Sequence, residues 1–130
     1  MDNKIIECEI DDIQYRFKRA SAESQFEALT IVSGLLTQFF QGDDSDEEKA
    51  LVLALYLPRI SIENLTKLRK LLLVGLHADG EEIGISHFKG EIQNLLLLIG
   101  HAIVGNLGNF SKLLNRLPKA EKDQELKSPQ

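Results

Sequence analysis

One cysteine, Cys8, stands in 130 residues. No intramolecular disulfide can form, cysteines alone cannot hold a structural zinc, and the fold needs no oxidising compartment. No uninterrupted apolar stretch approaches the ~20 residues of a membrane span. Met1-Asp2-Asn3-Lys4 leads into an alternating segment rather than an apolar one, which argues against a classical export signal. Positive charge is also short: 15 Lys and Arg against 20 Asp and Glu give a formal charge of -5 and a pI of about 5.2. That balance disfavours nucleic acid as a partner, because such modules attract phosphate through a basic surface. The signatures G-x-S-x-G, Walker loop, H-E-x-x-H and dinucleotide fingerprint are missing. The reading is therefore a cytoplasmic, non-catalytic protein with no cofactor, no membrane and no nucleic acid.

What is present is 43% hydrophobic and 27% charged residues in a chain of ordinary domain length, so one core is expected. The fold class predicted is mainly α with a small N-terminal β-hairpin (α+β), a compact bundle of four to five helices. Residues 1–117 form a single helical domain with the hairpin at 4–18. Ile6, Cys8 and Ile10 alternate with Glu7 and Glu9, and Ile13, Tyr15 and Phe17 with Gln14 and Arg16. Period two means strand. A two-residue turn at Asp11-Asp12 would set Ile10 against Ile13, Cys8 against Tyr15 and Ile6 against Phe17. A lone hairpin is unstable in water, so its apolar face must lie on a helix. Phe26 and Leu29 are the residues expected beneath Tyr15 and Phe17.

Ser21 caps a first helix reaching about Gln41, with the stripe Ala22, Phe26, Leu29, Ser33, Leu36 and Phe40. Gly34 in its middle offers a place for another segment to pack closely. Ser45 to Glu48 match a capping box for a second helix that ends before Pro58. Ser61 caps a third, with Ile62, Leu65, Leu68, Leu72 and Leu76 facing inward. His77 to Ser86 form a turn or a second small hairpin around Asp79-Gly80. A fourth helix begins between Ser86 and Gly90 with the stripe Phe88, Ile92, Leu95, Leu96, Ile99 and Ile103, and apolar residues nearly all round it imply burial on more than one side. A short fifth helix runs over 109–117, and 118–130 is a polar, disordered tail.

Three histidines invite a metal reading, and His87 with Glu91 would share a helix face, but no second ligand pair accompanies them. His77 near a helix end is more simply a dipole partner, and His101 a partly buried polar residue. The run Asp43 to Glu48 lacks the spacing of a calcium loop. The segment Ala78 to Gly84 superficially resembles calcium-loop and tellurite-resistance-like helical domains, yet the twelfth position from Asp79 is Gly90 rather than glutamate. Cys8, on the inward face of a strand, is a small core residue.

Excess apolar surface stands out instead. Leu71 and Val74 on the third helix, Leu97 and Leu98 on the fourth, and Phe39 at the end of the first exceed what the main stripes need. Either the core is filled around one wholly central helix, or these residues meet another chain, a second copy or a client. In the second case Phe39, Leu71, Val74, Leu97 and Leu98 form the partner-binding surface, rimmed by Lys67, Lys70 and Asn94.

The strand ending Ile13-Gln14-Tyr15-Arg16-Phe17, the helix opening Ser21 to Leu29, the segment Leu57-Pro58-Arg59-Ile60-Ser61 before Ile62 to Leu65, and Asn106-Leu107-Gly108-Asn109-Phe110 with Leu113-Leu114 follow in an order that resembles the tail assembly chaperones of long-tailed bacteriophages. The likeness covers most of residues 5–117; the acidic stretch and the charged tail depart from it. It implies a non-catalytic protein, made in the infected host or from a prophage, that binds the tape-measure protein and helps tail-tube protein polymerise around it. It also implies absence from the finished virion. The rival readings are a helical metal-binding or stress-response domain acting through Asp79, and a structural virion or adaptor protein.

Overall fold

A computed structural model describes residues 4–39, 45–110 and 116. The hairpin has the register that the alternation predicts. Strands β1 (Ile5–Ile10) and β2 (Ile13–Lys18) pair antiparallel, with Ile10 opposite Ile13, Cys8 opposite Tyr15 and Ile6 opposite Phe17. Asp11 and Asp12 both have positive φ, 53° and 66°, the geometry of a tight turn whose twist matches the strands.

The hairpin is half of the sheet. Helix α1 (Ala22–Phe39), helix α2 (Asp46–Tyr56) and helix α3 (Ile62–Leu72) precede strands β3 (Val74–Ala78) and β4 (Glu81–Glu82), giving the order β1-β2-β3-β4. The third helix thus stops earlier than predicted, and Val74 and Leu76 belong to a strand. Gly75 takes φ +65°, a conformation costly for other residues. From there Leu76 and Ala78 alternate inward, and the open edge of β2 gains hydrogen-bond partners. The Asp79-Gly80 turn closes the second hairpin. Asp79 Oδ1 accepts the Gln14 N–H at 2.9 Å, and the Asp79 N–H donates to Gln14 O at 2.8 Å.

The caps are local, and they form as read. Ser45 Oγ accepts from the Glu48 N–H while Glu48 Oε1 accepts from the Ser45 N–H, both at 3.1 Å. Ser61 accepts from the Asn64 N–H at 3.1 Å and Ser21 from the Ser24 N–H at 3.2 Å. Helix α2 stops at Tyr56, and Pro58 lies in a 3-10 turn, Leu57–Arg59.

Helix α4 (Ile92–Leu107) follows a second 3-10 turn, Ile85–Phe88, and begins slightly later than expected. It buries Leu95, Leu98, Ile99, Gly100, Ala102, Ile103, Val104 and Leu107, so it is central. Helix α2 packs against it at Gly100, where an added Cβ would overlap Ala50 O. At Gly105 a Cβ would lie 2.9 Å from the Ile6 side chain, which places β1 on the last turns of the same helix. Asn106 ties the chain before α1 to this end. Its Oδ1 accepts from the Ala20 N–H (2.9 Å) and Gln25 Nε2 (3.0 Å), and its Nδ2 donates to Ala102 O (2.9 Å).

Several stripe assignments are corrected. In α1 the buried residues are Ala28, Val32 and Leu36, while Phe26 is 70% exposed. Short side chains at the first two positions allow close packing, and Phe26 does not carry the hairpin. Ile62 and Ile92, each in the first turn of its helix, project beyond the core and are exposed. Among the described residues nothing lies within 4 Å of a Cβ at Gly34, so none of their segments packs there. Phe40, the acidic residues 43–44, the fifth helix beyond Phe110 (Arg116 apart) and the tail 118–130 lie outside the described residues. Among the described residues no charged side chain is buried, and no helix is long and apolar enough to cross a membrane.

Candidate functional site

Helix α2 presents six consecutive apolar residues, Ala50 to Leu55. Such a run circles the helix, so some of it must face away from the core. Ala50, Leu53 and Ala54 turn inward, and Leu51 and Leu55 remain 52% and 67% exposed. Helix α4 runs beside this face in the opposite sense, with Gly100 at Ala50 and its first turns toward Pro58. Between the two lies an open apolar groove of about 300 Å³. Its floor and walls are Leu51, Ala54, Leu55, Pro58, Leu96 and Leu97, and Gln93 and Asn94 stand at one end.

Of the eight residues singled out in the sequence, Leu97 and Asn94 meet here. The others are dispersed. Leu98 is fully buried in the core and is corrected accordingly: adjacent residues point about 100° apart on a helix, so Leu97 and Leu98 cannot share one exposure. Leu71 is half-buried against the core and Val74 is exposed on β3. Lys67 lies 3.6 Å from Glu27 across the α1–α3 contact, and Lys70 is exposed on α3. Phe39 is the last residue of α1, and its side chain lies outside the described residues. Leu51, Leu55, Pro58 and Leu96 were missed as surface residues. The unbroken apolar run of α2 was the available signal.

A second crevice, about 240 Å³, separates β1 from the start of α2 and is lined by Cys8, Asp46, Glu47 and His101 among others. Burial pushes the Cys8 thiol up to about 11, which leaves very little thiolate at neutral pH. Burial lowers His101, partly opposed by Glu47 and Asp46. The other histidines are used locally. His87 Nε2 shares a 3.0 Å hydrogen bond with Tyr15 Oη, and His77, on a strand rather than at a helix end, bonds Gly75 O through Nδ1 at 2.9 Å. His87 and Glu91 share no helix face, since His87 sits in the 3-10 turn and Glu91 precedes α4. Among the described residues no three His, Cys, Asp or Glu side chains converge to hold a metal ion.

The thiol shift has a testable sign. A folded-state value above the ordinary 9.0 favours folding below about pH 9, and that contribution is lost as pH rises through about 11. At pH 8 the native chain should hold about a hundredfold less thiolate than an ordinary cysteine. Disulfide-reagent labelling of Cys8 should accordingly be slow, rising steeply above pH 10 and jumping when the chain is unfolded in guanidinium. Native and unfolded chains labelling equally fast at pH 8 would contradict the buried thiol.

Compared with known families, residues 11–118 match the family described as phage tail assembly chaperone protein (TAC). No curated protein and no solved structure matches the chain.

Proposed function

We propose that this chain, which belongs to the phage tail assembly chaperone family, binds the tape-measure protein through the α2–α4 groove and promotes polymerisation of tail-tube protein around it. It works by binding rather than catalysis, in the host cytoplasm during assembly, and leaves before the virion is complete. Residues 1–117 carry the activity, and 118–130 are not required for folding.

The observation that carries this reading is the exposed pair Leu51 and Leu55 facing Leu96 and Leu97 across the groove. An apolar trough between two helices is the shape that receives an amphipathic helix. A long tape-measure helix exposes apolar surface until the tube encloses it, and covering that surface is the work of a chaperone.

Leu55→Ser combined with Leu97→Ser should weaken capture of a tape-measure fragment by at least about 30-fold, the effect of losing about 2 kcal/mol of contact at a binding hot spot. Circular dichroism should stay unchanged, since neither side chain is fully buried. Ile99→Ser, in the core, should instead unfold the chain. Undiminished co-purification of the double variant, or a stoichiometric copy of the protein in purified particles, would overturn the proposal.

A further inference from the structure

The groove has an electrical character as well as an apolar one. Along α2, Glu47, Leu51 and Leu55 fall in one row at intervals of four, so Glu47, which lines the crevice beside β1 with His101, stands one turn beyond the apolar stretch. At the opposite end the two amides are held by carboxylates. Asn94 Nδ2 donates to Asp11 Oδ2 at 2.9 Å, and Gln93 Nε2 donates to Glu91 Oε1 at 2.7 Å. Three cations lie near these ends in sequence: Arg59, beside Pro58, is turned over the Tyr56 ring with its guanidinium 4.8 Å from the centroid, Lys49 lines a separate crevice with Asp46 and Val104, and Lys89 precedes Glu91 by two residues. Carboxylates therefore stand near both ends of a trough whose own lining is uncharged, on a chain whose net charge is -5.

Dimensions follow from helix geometry. Leu51 to Tyr56 covers about 7.5 Å of α-helix axis and the 3-10 turn to Pro58 adds about 4 Å, so the apolar stretch is about 11 Å long and Glu47 lies about 6 Å before it. An occupant helix lying along the groove would place apolar side chains at i, i+3, i+4 and i+7. Its residues about one turn outside that stretch, near i-4 and i+11, would come to the carboxylates.

We infer that the groove is built for an amphipathic helix whose two-turn apolar stripe is bracketed at both ends by Lys or Arg. This deepens the proposed function and rests on it, since it specifies which segment of a tape-measure protein the groove takes. Complementary charge at the rim governs partner choice and association rate, while the leucines hold the complex.

Two synthetic helical peptides of about 18 residues test this, sharing one leucine stripe and differing only in Lys or Glu at both ends. Their binding to the full chain is read by fluorescence anisotropy. The Lys-bracketed peptide should bind at least about tenfold tighter at low salt, and the difference should collapse near 1 M salt, where the Debye length is about 3 Å. The combined variant Asp11→Asn, Glu47→Gln and Glu91→Gln should equalise the two peptides. Asparagine tolerates the positive φ at position 11, and an unchanged denaturation midpoint certifies the variant. Equal binding of the two peptides to the wild-type chain overturns the inference, as does a preference that survives neutralisation. A dimer seen by sedimentation and dissolved by Leu55→Ser also overturns it, because the groove would then hold a second copy. Should Leu55→Ser with Leu97→Ser release the tape-measure fragment while neither peptide competes with that fragment, this inference falls and the proposed function stands. Fragment binding that ignores the double substitution brings both down.

Discussion

Gly100→Ala should lower stability by about 2–3 kcal/mol, the upper range for overpacking a tight core, and the thermal midpoint by roughly 10 °C. In an ordinary helix the change would gain up to about 1 kcal/mol from propensity. Here an added Cβ would overlap Ala50 O and come within 3.2 Å of the Ala50 carbonyl carbon. Those are backbone atoms of α2, with no rotamer to turn aside, so the helices must separate. Separation loosens the packing of Leu53 and Leu57, both fully buried, and opens the groove. Gly34→Ala supplies the control, because among the described residues nothing lies within 4 Å of its would-be Cβ. That substitution should stabilise the chain by about 0.4–1 kcal/mol. Chemical denaturation of both variants is the measurement, and an unchanged or raised midpoint for Gly100→Ala would mean that α2 and α4 do not approach this closely.

The same pair of glycines shows where the sequence was legible and where it was not. Both sit within helical patterns, and nothing local distinguishes Gly34, which meets solvent, from Gly100, which admits a neighbouring backbone. Features decided within a few residues could be read directly. The β1–β2 register follows from alternation around Asp11-Asp12, and the caps Ser21, Ser45 and Ser61 follow from side chains reaching N–H groups three residues on. Features decided by tertiary partners could not. The run Leu71 to Leu76 reads as the end of a helix, yet its later part becomes β3 because β2 offers an open edge and Gly75 tolerates the turn. An α4 that is apolar nearly all round does not announce which flank is left bare; the arrival of α2 at Gly100 decides that Leu98 is core and Leu97 lines the groove. The family itself was legible through the order of motifs, and the match over residues 11–118 shows it.

Phe17→Ala should cost about 3–5 kcal/mol, the range for deleting a fully buried phenylalanine, and it is the larger of the two effects. Phe17 is 1% exposed, as is Tyr15, and both belong to the same buried cluster as Ile99 and Ile103 of α4. The sheet's inner face therefore lies toward the central helix, with Ile6 seated against Gly105 beside it. Phe26 of α1, the partner suggested by sequence, plays no such part. At 70% exposure its replacement by alanine should change stability by less than about 0.5 kcal/mol. The two substitutions delete the same atoms, so the difference between them isolates burial from residue type. A global stability of about 5–15 kcal/mol leaves the Phe17 variant partly unfolded at 37 °C if the chain sits at the low end. Urea denaturation followed by far-ultraviolet circular dichroism measures both. Equal midpoints for the two variants would remove the sheet from the core and leave α4 without its cover on that side. A large loss confined to Phe17→Ala would instead place the hairpin in the same core as the helix that forms one wall of the groove.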